Sequence, residues 1–70
     1  MIEVFKTNVQ EAADAGKIVA LLLDRFPACQ ASFDLDDCDK ILRIAGADIP
    51  ASEISCVVSA YGFACVELCD

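Results

Sequence analysis

Seventy residues carrying five basic and twelve acidic side chains give a net charge of −7, with no histidine. The hydrophobic fraction of 57% is enough to build a core, although a chain this short buries only about 60% of the surface that its unfolded form exposes. The charge excludes a nucleic-acid role, because phosphates demand clustered Lys and Arg, and Lys6, Lys17, Arg25, Lys40 and Arg43 are scattered. The longest apolar run is the six residues from Ile18 to Leu23, far short of the roughly 20 that span a membrane. The N-terminus Met1-Ile2-Glu3 has no basic segment leading into an apolar run, so no secretory signal is read and a cytoplasmic chain is expected. Length alone predicts one domain over residues 1–70.

Residues 2 to 7, Ile-Glu-Val-Phe-Lys-Thr, are rich in strand formers and alternate at first. The reading places Ile2 and Val4 on one face and Glu3, Phe5 and Thr7 on the other. Asn8 is expected to cap a helix that continues to about Phe26, where Pro27 stops it. Ala12, Gly16, Val19, Leu23 and Phe26 recur at helical spacing, and Ile18 and Leu22 widen the stripe. Glu11 and Asp14 near the start and Arg25 near the end suit the helix dipole.

A second strand over 29 to 35 puts Cys29, Ala31, Phe33 and Leu35 on one face and Ser32 and Asp34 on the other. Asp36-Asp37-Cys38-Asp39 is turn chemistry. Residues 40 to 45 form the return strand, with Leu42 and Ile44 inward and Ile41 and Arg43 outward. Gly46 breaks that strand. Pro50 suits the first turn of a second helix, whose buried side is marked by Ile54, Val57, Val58 and Tyr61 and whose end is marked by Gly62. A last strand over 63 to 69 alternates Ala64, Val66 and Leu68 against Cys65, Glu67 and Cys69.

The order is βαββαβ. Right-handed crossovers of its two strand–helix–strand halves give an α+β fold: a ferredoxin-like sandwich with a four-stranded antiparallel sheet and both helices on one face. The helix-facing side is the core. The other side is open, and is expected to carry Glu3, Phe5, Ser32, Asp34, Ile41, Arg43, Cys65, Glu67 and Cys69. Phe5, Ile41 and Arg43 are the candidate interaction face.

The stretch "FDLDDCDKILRIAGADIPASEISCVVSAYGFACVEL", residues 33 to 68, resembles the second half of the heavy-metal-associated domains, the fold of small copper chaperones. The shared rhythm is carried by Phe33-Asp34-Leu35, Leu42 to Gly46, Pro50, Ile54, Val57-Val58 and Gly62-Phe63. That family holds soft metal through MxCxxC where its first strand meets its first helix. Here Lys6 takes the methionine position, Asn8 and Glu11 take the two cysteine positions, and Thr7 alone keeps the usual residue. Asn8 and Glu11 are hard oxygen donors and do not replace thiolates for copper(I). One amide and one carboxylate are also too few oxygens for calcium or magnesium. The reading assigns the pair to a capping box instead, so the junction is a degenerate metal loop. Phe63, at the family's aromatic position near that loop, is expected to pack over the helix end.

The five cysteines, Cys29, Cys38, Cys56, Cys65 and Cys69, have no CxxC spacing, and their expected state is free thiol. Cys65 and Cys69 would lie roughly 13 Å apart along a strand, and no spacing argument unites Cys29 with Cys38. The aspartates at 34, 36, 37 and 39 lack the glycine and terminal glutamate of a calcium loop. No cofactor, metal site or catalytic residue is assigned, and an enzyme is not expected: no nucleophile has a base beside it. The expected role is a small protein-interaction or accessory module with an unidentified protein partner, monomeric or weakly dimeric. The alternatives are copper or zinc handling by displaced cysteines, and a small-molecule-binding regulatory domain.

Overall fold

The computed structural model describes residues 1–68. Its elements are β1 (Ile2–Thr7), α1 (Ala12–Arg25), β2 (Gln30–Asp34), β3 (Ile41–Ala45), α2 (Ala51–Ala60) and β4 (Cys65–Leu68). The strands form one antiparallel sheet in the order β2-β3-β1-β4, as the ferredoxin-like reading requires. Ala15, Ile18 and Leu22 of α1 and Ile54 and Val58 of α2 meet Phe5, Leu42 and Ile44 in one core, so both helices cover the same face of the sheet.

Both helices form for local reasons. The buried residues of α1 recur at steps of three and four and make one stripe. That stripe is turned relative to the expected one: Ala12, Gly16 and Leu23 are exposed. Six consecutive apolar residues from Ile18 leave the phase of a helix open, and contact with the sheet decides it. The helix ends as Phe26 N–H reaches Leu22 carbonyl at 2.8 Å, one residue before Pro27. At the end of α2, Gly62 has φ +106°, a conformation costly for any residue with a Cβ. It allows Gly62 N–H to reach Ser59 carbonyl (3.0 Å) and Phe63 N–H to reach Val58 carbonyl (3.3 Å), the two bonds of a Schellman motif.

The strand registers correct half of the expected faces. Phe5 lies opposite Leu42, which in turn lies opposite Phe33. Directly opposed residues share a face, so Phe5 points into the core, where it is completely buried. Thr7 follows it and is also buried. On the other side of β1, Thr7 pairs with Cys65 and Phe5 with Glu67, so both β4 residues turn to the helix side. Glu3, opposite Ile44, does the same. The open face therefore carries Ile2, Val4 and Lys6 of β1, Ser32 and Asp34 of β2, Ile41 and Arg43 of β3, and Val66 and Leu68 of β4. Ser32, Asp34, Ile41 and Arg43 are where the alternation put them; Glu3, Phe5, Cys65 and Glu67 are inverted. Cys69 lies outside the described residues.

Candidate functional site

The segment from Lys6 to Glu11 is pinned by its own side chains. Thr7 hydroxyl donates to Lys40 carbonyl at 2.5 Å and accepts Val9 N–H at 3.3 Å. Thr7 N–H reaches Asp39 carbonyl at 3.1 Å. Lys6 Nζ lies 3.5 Å from Asp39 Oδ1, with both side chains about half exposed, an arrangement that contributes at most about 1 kcal/mol. Val9 is fully buried. Asn8 Oδ1 accepts Ala64 N–H at 2.9 Å.

These contacts overturn the capping box. The residue preceding α1 is Glu11, in extended backbone (φ −96°, ψ 132°) and without a side-chain cap hydrogen bond. Its carbonyl accepts Ala15 N–H at 3.0 Å and opens the helical ladder. Val9 is anchored in the core between exposed Asn8 and Gln10, and the helix starts later than Asn8. The Asn8 oxygen is aimed 56 residues along the chain at the loop before β4. The junction thus ties the β2–β3 hairpin, the start of α1 and the end of α2 together at one end of the sheet. Removing the Asn8 oxygen with Asn8→Ala is expected to cost about 1 kcal/mol, seen in urea denaturation, with faster hydrogen exchange at the Ala64 amide.

This junction does not fit a soft metal. Among the described residues it offers no thiol, and the Asn8 oxygen already has a donor. The structure does bring three possible ligands together nearby: one ligand atom each from Asp37, Cys38 and Asp39, all within 4.8 Å of one another. The sequence points to a solvated turn here and does not by itself combine Cys38 with its flanking aspartates; the adjacent D-C-D spelling is the signal that could. Two of the three are already engaged. Asp37 Oδ1 accepts Asp39 N–H at 2.9 Å, and Asp39 faces Lys6. One thiol with two carboxylates is a mixed set dominated by hard oxygens, a poor match for copper(I).

The other described cysteines stand apart as free thiols. Cys29 is buried in the core, where its Sγ would lie 3.1 Å from a Cβ placed on Gly46; that close approach is what the glycine allows. Cys56 is exposed on α2. Cys65 packs against the core, and burial pushes its thiol above the usual range, offset in part by a hydrogen bond involving Ser55. It is therefore a poorer thiolate donor at neutral pH than an exposed cysteine.

Of the candidate interaction residues, Arg43 is exposed on the open face. Ile41 is on that face but only 8% exposed. Phe5 is withdrawn from the set by its burial. Ile2, Val66 and Leu68, which the alternation does not place among them, are the large apolar residues exposed on that face, by 62%, 59% and 39%. On the opposite layer, a shallow groove of about 390 Å³ between the helices is lined by Lys17, Ala20, Leu21, Asp24 and Tyr61. Phe63 packs against the core beside Tyr61, ring centroids 6.0 Å apart, over the end of α2 as expected.

No protein-family model matches this sequence, and no curated protein matches it. Among solved structures, the yeast copper transporter domain CCC2A, determined in apo and Cu(I)-loaded states, is similar with a TM-score of 0.83. The match covers 99% of this chain and 96% of that one, at 15% sequence identity. The two chains share one fold. The ferredoxin-like architecture implied by the heavy-metal-associated resemblance is therefore the one observed, while identity at this level carries the fold and nothing of the chemistry. Among the described residues no helix is long and apolar enough to cross a membrane.

Proposed function

We propose that this chain is a non-enzymatic accessory module, in which the junction that would bear metal ligands has become a structural clasp, and which works by binding another protein chain through the open face of its sheet. The observation that carries this reading is the hydrogen bond from Ala64 N–H to Asn8 Oδ1. It gives the side chain at a metal-ligand position a purely structural partner. The cytoplasm, where thiols stay reduced, suits a chain whose described cysteines are all free.

A copper(I) and zinc titration of the fully reduced protein, followed by native mass spectrometry and amide NMR, tests it. The expected result is weak capture spread over several thiols. One equivalent bound at nanomolar affinity or tighter, with shifts gathered at one place, overturns the reading. A second reading, metal handling at a displaced site, is favoured by the grouping of Asp37, Cys38 and Asp39. It requires that Cys38→Ser abolish the bound equivalent.

A further inference from the structure

We propose that the partner on the open sheet face is a second copy of this chain, packed sheet against sheet about a twofold axis over Ile2, Val4, Val66 and Leu68. The proposal rests on the reading of that face as the working surface and deepens it by naming the occupant.

The first argument is where the exposed apolar side chains lie. Six large ones are exposed among the described residues: Met1, Ile2, Leu21, Leu23, Val66 and Leu68. Ile2, Val66 and Leu68 share the open face, and Met1 precedes Ile2. Val4 joins them, since it stands opposite Leu68 on one side and Arg43 on the other. The patch lies on β1 and the edge strand β4. The opposite edge, β2, presents Gln30, Ser32 and Asp34 outward, the polar protection expected of an edge that stays solvated. β4 lacks that protection on the same face.

Charge then selects the occupant. In a chain of net charge −7, most surfaces of two copies repel each other. The registers place two cations, Lys6 and Arg43, on this face against one acid of its own strands, Asp34, and Asp39 lies 3.5 Å from Lys6, so the face is close to neutral. Two copies therefore approach here with the least repulsion. Arg43 and Asp34 sit on neighbouring strands and form no ion pair among the described residues. A cation beside an anion is a self-complementary pattern: about a twofold axis, each copy sets its Arg43 towards the other's Asp34.

Size sets the strength. Four strands at about 4.8 Å spacing and about 17 Å length give a face of roughly 320 Å² in plan. This falls below the roughly 800 Å² per partner of a standard interface. The dimer is thus a weak one.

The test is sedimentation velocity in reducing buffer from about 10 μM to about 1 mM, a range that brackets an interface of this size, with amide shifts followed over the same range. The expected result is a rise towards dimer mass, with shifts concentrated on Val4, Arg43, Val66 and Leu68. Val66→Lys should weaken association at least about tenfold, since a lysine on an edge strand opposes stacking and pairing. Arg43→Asp should weaken it, and the double variant Asp34→Arg with Arg43→Asp should restore it. That charge-swapped pair carries the test should Val66→Lys fail to fold. A monomer at the highest concentration, or a dimer indifferent to these substitutions, overturns the proposal. A monomer whose open face is covered by a different protein overturns the second-copy assignment and leaves the working-surface reading standing, while the metal titration judges the clasp separately.

Discussion

Replacing Phe5 with alanine is expected to remove roughly a third or more of the domain's stability. Phe5 is completely buried at the centre of the sheet, opposite Leu42 and in one core with Ile18, Ile54 and Val58. Removing a buried phenylalanine costs about 3–5 kcal/mol, the lost transfer energy plus that of the cavity left behind. A 70-residue chain has a total stability of roughly 4–10 kcal/mol, so the loss consumes a third or more of it. A circular-dichroism melt should show the midpoint lowered by more than about 12 °C, at about 4 °C or more per kcal/mol for a domain of this size. Val66→Ser, on a side chain 59% exposed, should move the midpoint by only a few degrees. A Phe5→Ala variant with a midpoint near that of the parent would place the ring on the open face, as the alternation of β1 suggested.

That contrast marks where the sequence was legible. In β3, Leu42 and Ile44 point inward and Arg43 marks the outer phase, and in β2 the polar Ser32 and Asp34 do the same. In each a charged or polar residue marks the outer phase, even though Ile41 shares that phase in β3, and their faces follow from it. β1 has apolar residues on both phases: Ile2 and Val4 against Phe5, with Thr7 and Val9 continuing inward. A shift of one residue inverts every side chain of a strand, and nothing local decides between the two settings. In β4 the pattern misleads. Val66 and Leu68 are the more hydrophobic pair, yet Cys65 packs inward and Glu67 stands opposite Phe5. The ladder to Thr7 and Phe5 fixes that choice, and it joins residues about sixty apart.

The junction failed for the same reason. Asn8 followed by Glu11 matches a capping box over four residues, and the local pattern is sound. What outweighs it is the burial of Val9 and the reach of Asn8 to Ala64, neither of which has a local signature. The absence of thiols at positions 8 and 11, by contrast, was readable at once. A polar side chain there is consistent with either a cap or a clasp, and only the folded chain distinguishes them. The architecture survived these errors because it depends on element order and crossover hand, not on the phase of any one strand.

Thiols placed at positions 8 and 11 should create a soft-metal site. Asn8 and Glu11 are both exposed at the entry to α1. Thiols beside a helix N-terminus ionise more readily, because the unpaired N–H groups and the dipole favour the thiolate. Two soft thiolates match copper(I), whereas the native amide and carboxylate do not. The double variant Asn8→Cys with Glu11→Cys is therefore expected to bind one equivalent of copper(I) at least about a thousandfold more tightly than the native chain, a gain of about 4 kcal/mol. Competition with a copper(I) chelator, read by native mass spectrometry, measures it. The variant also loses the Asn8 oxygen from Ala64 N–H, so its apo form should be less stable by about 1 kcal/mol, and bound metal should return that stability by holding only the folded state. Asn8→Ser with Glu11→Ser, which introduces hydroxyls in place of thiols, should gain no affinity. If the cysteine variant binds no better than the serine one, Val9 and the Thr7 contacts hold the two positions too far apart to share an ion, and the backbone path of the junction as well as its side chains is unsuited to soft metal.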